Sequence, residues 1–187
     1  AIYETARILN AFREQLIEPD LTFNPGVILG GTEVTYDDVL SKGTAFGKSN
    51  IIAPTATVKG DLRYLTYEQR DRTHARMREI VGKNLPATSA KIDFFESYPP
   101  MAPTAGNLNI LKIYSQASGD AGLRRINALP PGQRGSGDVQ FVAPYLDRLD
   151  GLGGSGRGSH SPNDDLYLPS IDTDTIRTAL LVARLQP

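Results

Sequence analysis

The chain has 187 residues, 40% of them hydrophobic, and a formal net charge of -1, which suits one large domain or two small ones with an ordinary folded core. The balanced charge argues against a nucleic-acid partner, because binding to a phosphate backbone requires an excess of basic residues. No apolar run is long enough to span a membrane, and the absence of cysteine excludes disulfides, thiolate metal sites and a cysteine nucleophile.

The first residues predict an amphipathic helix, since Ile2, Leu9 and Leu16 recur at helical spacing together with Ala6 and Phe12. The chain starts with alanine inside this pattern, and neither the basic leader nor the apolar core of a signal peptide precedes it. We therefore expect a piece of a longer protein. The compartment stays open, with a periplasmic or secreted location favoured over the cytoplasm.

The following residues predict strands and one more helix, in the order strand 21–34, strand 51–62, helix 67–81 and strand 90–98. The Gly30-Gly31 pair predicts a bulge in the first of these strands, and residues 35–42 are interpreted as a polar excursion. Helix, strand, strand, helix, strand is most of a βαββαβ unit with its first strand missing upstream.

The helix at residues 67–81 carries its own start signal, because Thr66 followed by Gln69 resembles a capping box. Its apolar residues Met77, Ile80 and Val81 fall on one face. His74 lies three residues before Met77, and we interpret it as a satisfied core or boundary histidine.

Prolines at positions 99, 100 and 103 predict a domain boundary. Beyond it we expect a helix from Asn107, a short strand at 124–129, a helix start or strand end at 138–143 and a terminal helix at 171–185. The terminal helix is predicted to direct three apolar residues towards a core, Ile176, Leu180 and Ala183.

Arg63 is the first candidate for binding chemistry, because a guanidinium offers a planar fork for a carboxylate. Asn50 lies at the other end of the same apolar segment, roughly 40 Å away along a stretched chain, so one strand cannot bring both residues to one small ligand. From the residues alone, an ion pair of Arg63 with Asp61 or Glu68 is the favoured interpretation.

Two glycine-rich turns are further candidates. Gly135 and Gly137 flank a serine before Asp138, and such a turn either directs backbone N–H groups at an anion or only caps a helix. The second turn, residues 151–158, leads to His160, one of two histidines in the chain. Its glycines allow positive φ and close backbone approach, so the loop can present the imidazole to a metal or substrate, although an isolated loop histidine is more often inert.

Three segments in this order resemble the M20 family of zinc peptidases, in its glutamate carboxypeptidase and aminoacylase-like branch: NIIAPTATVKGDLR, RGSGDVQFVA and LDGLGGSGRGSHSPNDDLYLPSI. The preceding AIYETARILNAFREQL resembles the first helix of that family's inserted domain. The resemblance implies a ferredoxin-like α+β lid domain lacking its first strand at residues 1–104. The C-terminal part of an α/β zinc-peptidase catalytic domain is then expected at residues 105–187.

The resemblance also implies roles for individual residues. His160 is expected to ligate one of two zinc ions, and Arg63 to grip the terminal carboxylate of the substrate. Further substrate contacts are expected from Asn50, Gly135, Gly137 and Gly158. Lid residues in a dimer can serve either their own site or the partner's, so Asn50 and Arg63 need not meet.

The implied activity is metal-assisted hydrolysis of a small peptide or N-acyl amino acid, next to a C-terminal residue such as glutamate, by a homodimer joined through its lids. The other zinc ligands and the catalytic glutamate of the family lie upstream, so the chain as given is expected to be inactive. Two alternatives stay open: a non-catalytic dimerisation or binding module derived from this family, and a piece released by proteolysis of an intact enzyme. The chain departs from the family where Asp164 and Asp165 replace a usual glutamate, and where Gly137 replaces a usual Ser or Thr.

Overall fold

The computed structural model describes residues 1–133, 135–159 and 161–186. Its helices and strands are, in chain order, α1 (Ile2–Gln15), β1 (Thr22–Gly31), β2 (Glu33–Asp37), β3 (Lys42–Phe46), β4 (Thr55–Arg63), α2 (Tyr67–Gly82), α3 (Ala105–Asp120), β5 (Gly156–Arg157), β6 (Asp165–Leu166) and α4 (Pro169–Leu185). The predicted mixed α/β class is confirmed, since helices combine with small antiparallel sheets, an arrangement consistent with the expected lid domain of ferredoxin-like type.

The chain divides into two compact units, Ala1–Pro100 and Met101–Pro187. The division falls in the proline-rich stretch. The assignment of these units to a lid and to part of a catalytic domain stays a prediction. None of the described helices is both long enough and apolar enough to cross a membrane.

The first unit is built on the antiparallel pair β1 and β4, in which Phe23 lies opposite Leu62 and Ile28 opposite Val58. The register shifts between Pro25 and Val27, so Gly26 is the extra residue of a bulge. Because side chains alternate between the two faces of a strand, this bulge moves the helix-facing set of β1 from odd to even positions. The predicted bulge at Gly30-Gly31 is therefore wrong, and Pro25, which cannot donate to a ladder, marks its place.

Residues 35–42, predicted as a polar excursion, instead belong to the β2–β3 hairpin. Its ladder pairs Glu33 with Phe46 and Asp37 with Lys42. The Asp37 carboxylate closes the turn by accepting the N–H groups of Val39 at 2.8 Å and Leu40 at 3.0 Å. A turn held by an aspartate side chain allows a polar hairpin to form, which explains why an apolar pattern did not reveal it.

The core of the first unit joins α1 to α2. Its buried cluster consists of Phe12, Leu16, Met77, Ile80 and Val81. The predicted apolar face of α2 is thus confirmed. On α1 the prediction holds for Phe12 and Leu16, which are buried, but not for Ile2 and Ala6, which are exposed. Full burial of a side chain the size of Ile80 contributes about 1.5–3 kcal/mol, so this contact dominates the stability of a unit with few other buried apolar groups.

The start of α2 has the predicted capping residues. Thr66 accepts the Gln69 N–H at 3.1 Å through its hydroxyl oxygen. The Gln69 side chain reaches back to the N–H of Leu65 at 2.8 Å, one residue earlier than in a standard capping box, and also donates to the Pro19 carbonyl at 3.0 Å.

Residues 90–98 do not form the predicted strand. Ile92 and Phe94 are half-buried and pack against the core, whereas Asp93 and Phe95 are exposed, so the alternation expected of a strand is present. What is missing is a neighbouring strand with which these residues could form a ladder.

In the second unit α3 packs against α4 through Tyr114, Ala117 and Leu181, all of which are buried. The predicted face of α4 is wrong, since Ile176 is 49% exposed and Ala183 is exposed, while Asp174 is buried. The orientation of α4 depends on polar contacts of its buried face and not on apolar residues alone.

Neither of the two segments between these helices matches its prediction fully. No strand forms at 124–129, because the carbonyl of Arg124 and the N–H of Ile126 bond to serine side chains of α3, Ser118 at 2.6 Å and Ser115 at 3.1 Å. Asp138–Val142 is a short 3-10 helix, in which Asp138 lies in the first turn rather than at the cap.

Candidate functional site

Arg63 is the last residue of β4, and its guanidinium is 49% exposed. Its Nε donates to the Asp61 carboxylate at 2.9 Å, which is the ion pair that the residues alone favoured. An exposed pair of this kind contributes about 0–1 kcal/mol, so a ligand carboxylate can displace Asp61 at little cost. The substrate role of Arg63 stays a prediction.

Asn50 lies in an exposed turn before β4, closed by the bond from the Ile51 N–H to the Lys48 carbonyl at 3.1 Å. Arg63 is the last of the nine residues of β4, so the length of that strand separates the two residues. The structure therefore keeps the two residues apart, as the extended-chain argument expected. Within one chain they do not form a shared site for a small ligand.

The turn at Gly135 and Gly137 gives little sign of an anion site. The Gly137 N–H donates to the Gln140 side chain at 3.0 Å, so it is already used within the turn. The Asp150 carboxylate lies where a Cβ on Gly137 would be, which adds a negative charge beside that N–H. Substrate binding by these two glycines stays a prediction.

The second glycine-rich turn leads into a small antiparallel hairpin. Arg157 pairs with Asp165, whose carboxylate also accepts the Arg157 N–H at 3.0 Å. Gly158 has φ +69, a conformation that favours glycine, and its carbonyl accepts the Ser161 N–H at 2.9 Å. His160 lies outside the described residues, so its zinc-binding role stays a prediction.

The described residues contain no group of three or more His, Cys, Asp and Glu side chains that could hold a metal ion. His74 is buried in the first unit and stacks on Phe94, with the two ring centroids 3.7 Å apart. Burial lowers its pKa, which keeps the imidazole neutral near neutral pH. As predicted, it is a core histidine rather than a ligand.

The sequence interpretation missed a buried ion pair in the first unit. Arg7 donates twice to Glu4, from Nη2 at 2.6 Å and from Nε at 3.1 Å, and the Glu4 residue is only 3% exposed. Glu4 also accepts the Leu85 N–H at 3.0 Å, while Arg7 donates to the Ile80 carbonyl at 3.0 Å. The pair therefore ties α1 to the end of α2, and its i,i+3 spacing was the only available signal.

The hydrogen bonds from Arg7 lower the pKa of Glu4 to about 2, against the opposing effect of burial. A carboxylate with such a pKa remains charged throughout the physiological range. Glu4 is therefore a structural anchor and lacks the raised pKa that a general acid requires.

A second polar cluster organises the other unit. Arg177 donates to the Ser118 hydroxyl at 2.9 Å and to the Asp174 carboxylate at 2.7 Å. The Ser118 hydroxyl in turn donates to the Arg124 carbonyl at 2.6 Å. The Ser118 hydroxyl donates its hydrogen bond to a carbonyl and accepts one from a guanidinium, and neither group can act as a general base. Ser118 is therefore structural.

Comparison with known proteins identifies the first unit. Residues 1–89 match the family model described as a peptidase dimerisation domain, M20_dimer. No curated protein matches the chain. The matched range holds α1, β1 to β4 and α2, and it includes Asn50 and Arg63.

The helices over a small antiparallel sheet thus define this part of the chain as a peptidase dimerisation domain. The matched model is that of the M20 family, the family that the sequence motifs indicated, so residues 1–89 are similar to the lid domain of that family. The match ends before the second unit, so the predicted roles of Gly135, Gly137, Gly158 and His160 rest on the motifs alone.

The buried ion pair makes a prediction for stability against pH. The pKa of the Glu4 carboxyl is lower in the folded chain, about 2, than its ordinary value of 4.5, so the stability it contributes is complete above pH 4.5 and is lost as the pH falls towards 2. Glu4→Gln is therefore expected to lower the free energy of unfolding at pH 7 and to cost less at pH 3. Urea denaturation at both pH values measures the difference, with the exposed Glu14→Gln as control. An equal loss at both pH values contradicts a low pKa for Glu4.

Proposed function

We propose that this chain is the lid and the end of the catalytic domain of an M20-type metal-dependent peptidase or amidohydrolase. The observation that carries the proposal is the match of residues 1–89 to a peptidase dimerisation domain. The proposed substrate is a small peptide or N-acyl amino acid with a free C-terminal carboxylate, glutamate being one candidate for the terminal residue. Arg63 would bind that carboxylate, and Asn50 would contact the substrate in the same or the partner subunit.

Arg63 suits this role because its guanidinium is accessible at a strand end and its existing partner is weakly held. A carboxylate that replaces Asp61 can accept two parallel N–H bonds from the planar fork. Lysine offers only a point charge at this place, so the two basic residues are not equivalent here.

Arg63→Ala, in a longer protein that contains this chain and hydrolyses such substrates, is expected to raise KM about 10- to 100-fold, the equivalent of one charge-assisted hydrogen bond. A substrate whose terminal carboxylate is converted to an amide should lose this dependence. Arg13→Ala, an exposed change on α1, is the control. If Arg63→Ala affects the acid and amide substrates equally, Arg63 does not bind the carboxylate.

M20 peptidases generally use metal ions, and the residues that the structure describes do not by themselves fit a two-zinc site. Among the residues that the structure describes, no cluster of candidate ligands is present, and His74 is buried against Phe94. That leaves His160 as the proposed zinc ligand, and a zinc site in proteins requires three or four ligands. No catalytic step is therefore assigned to this chain alone.

The purified 187-residue chain is accordingly expected to release no amino acid from peptide or N-acyl substrates when zinc is added. After dialysis it should retain less than one zinc ion per chain by elemental analysis, because one imidazole cannot hold the metal tightly. Two ions that survive dialysis, with His160→Ala leaving that content unchanged, would show a metal site elsewhere in the chain.

The alternative is a non-catalytic dimerisation module that keeps the lid without a metal site. The absence of a ligand cluster among the described residues is compatible with both proposals, since the other zinc ligands of the family are expected upstream. The gene sequence upstream of Ala1 separates the two: an HxD motif followed by a Glu-Glu pair supports the enzyme, and its absence from a complete upstream sequence supports the module.

For the dimer we propose an interface on the free edge of β1. This strand pairs only with β4 among the described strands, so its other edge carries unpaired backbone groups. Ile28 on this strand is 58% exposed, and Ile2 of α1 is 53% exposed. The side chain of Ile2 lies against Gly30, so the two isoleucines extend one apolar surface from the helix to the strand edge.

Ile28→Asp is expected to convert the dimer to a monomer, because it places a charge in the apolar part of this surface. Analytical ultracentrifugation at several concentrations measures the change. Val39→Asp, at a residue 92% exposed in the turn of the β2–β3 hairpin, is the matched control and should leave the dimer intact. Dimers that withstand Ile28→Asp would place the interface elsewhere.

A further inference from the structure

The β2–β3 hairpin packs against the face of the β1–β4 pair that is turned away from the helices. Leu62 of β4 packs on the helical core, so the odd-numbered residues of this strand, which alternate with it, point to the other face. Leu29 of β1 pairs with Thr57 on this outer face, and its side chain contacts Gly43 of the hairpin so closely that no Cβ fits there. The hairpin therefore rests on the outer face of the sheet.

Lys59 of β4 joins the hairpin to this outer face through its ammonium group. The Nζ atom lies 2.6 Å from the Asp38 carboxylate in the hairpin turn and 5.2 Å from the ring centroid of Tyr36. Tyr36 is half-buried, and its ladder partner is Gly43. Each contact of the ammonium is weak by itself at a surface, but both hold the same hairpin to one charge. The charge of Lys59 therefore contributes directly to how firmly the hairpin is docked.

Lys59 and Arg63 lie on the same face of β4, because they are an even number of residues apart in one strand. Their Cα atoms are about 13 Å apart in an extended strand. Thr57 and Lys59 are half-buried, whereas Asp61 and Arg63 are exposed. The hairpin thus covers one end of the outer face and leaves open the end that carries the candidate carboxylate-binding residue.

The hairpin also leads directly to Asn50. At its base the Thr32 N–H donates to the Phe46 carbonyl at 2.7 Å, and Asn50 follows shortly after Phe46 in the chain. Residues 47–52 are all exposed, so the turn that holds Asn50 has no buried side chain of its own. A segment with so few buried contacts takes its position from the elements on either side of it, which are β3 and β4. The contact between the hairpin and β4 therefore sets where Asn50 lies.

We propose that Lys59 is a positioning residue for Asn50. By holding the β2–β3 hairpin on the outer face of β4, its ammonium group fixes the end of β3 and with it the turn that carries Asn50. Lys59 does not itself contact the substrate. The inference rests on the substrate role of Asn50 in the proposed function, and it adds the hairpin as the element that places this residue relative to Arg63.

A spin label in the Asn50 turn tests the positioning in the 187-residue chain, which has no cysteine of its own. Ser49→Cys allows a nitroxide to be attached beside Asn50, and Ala75→Cys allows one at an exposed position of α2 as the control site. Lys59→Met keeps most of the side-chain length and removes the charge. By electron paramagnetic resonance it should raise the ratio of mobile to immobile label at residue 49 about three- to tenfold, and leave the label at residue 75 unchanged.

Two further variants separate the charge of Lys59 from its bulk. Lys59→Arg keeps a cation beside Asp38 and the Tyr36 ring, so the label at residue 49 should stay as immobile as in the unchanged chain. Lys91→Met removes a lysine that also pairs with a carboxylate, in the segment after α2, and should have no effect. Because the ion pair of Lys59 is exposed to screening, salt at about 1 M should mobilise the label more in the unchanged chain than in Lys59→Met.

A double-mutant cycle tests the consequence for the substrate, in a longer protein that contains this chain and hydrolyses the proposed substrates. Lys59→Met is expected to raise KM about three- to tenfold with kcat unchanged, and Lys59→Arg should restore KM. In an Asn50→Ala background Lys59→Met should add nothing, because both changes remove the same interaction. In an Arg63→Ala background its effect should be retained in full, since about 13 Å separates the two residues.

Three results would overturn the proposal, and they differ in what else they affect. Equal mobility of the label at residue 49 with and without Lys59→Met shows that the hairpin does not depend on this charge. Effects of Lys59→Met and Asn50→Ala on KM that add independently show that Lys59 does not act through Asn50. Both of these results leave the proposed function standing. An unchanged KM in Asn50→Ala refutes the substrate role of Asn50 itself, so the proposed function loses that contact together with this inference.

Discussion

The contact between α1 and α2 is the constraint on which the rest of the first unit depends. Phe12 and Ile80 supply its apolar part, and the Glu4–Arg7 pair closes its end with hydrogen bonds to the backbone of α2 and of the turn after it. Both helices then lie across β1 and β4, whose bulge at Gly26 keeps apolar residues on the helical face.

Much of this arrangement follows from sequence patterns with a local cause. The faces of α1 and α2 and the Thr66 cap depend on residues three or four positions apart, which a sequence shows directly. The hairpin at residues 33–46 and the orientation of α4 were missed because polar contacts decide them. Asp37 closes the hairpin turn, and Arg177 turns α4 towards Ser118, partners that lie far apart along the chain.

The sequence likewise predicts one part of the candidate site and not another. Asn50 and Arg63 lie in the matched domain, and their separation along one strand followed from the length of an extended chain. Whether a residue binds substrate depends on groups from other segments, so the motifs alone could not assign that role. The strand predicted at residues 90–98 does not form, because a ladder needs a neighbour that local sequence does not provide.

The central claim is that the first unit is a dimerisation domain that pairs through the free edge of β1. Hydrogen exchange at residues 22–28, measured across a dilution series, tests it most directly. Because pairing would give these amides new hydrogen-bond partners, we predict that their exchange slows as the concentration of the chain rises, while exchange in α3 stays constant. Exchange at residues 22–28 that does not change while the chain converts from monomer to dimer would contradict the account.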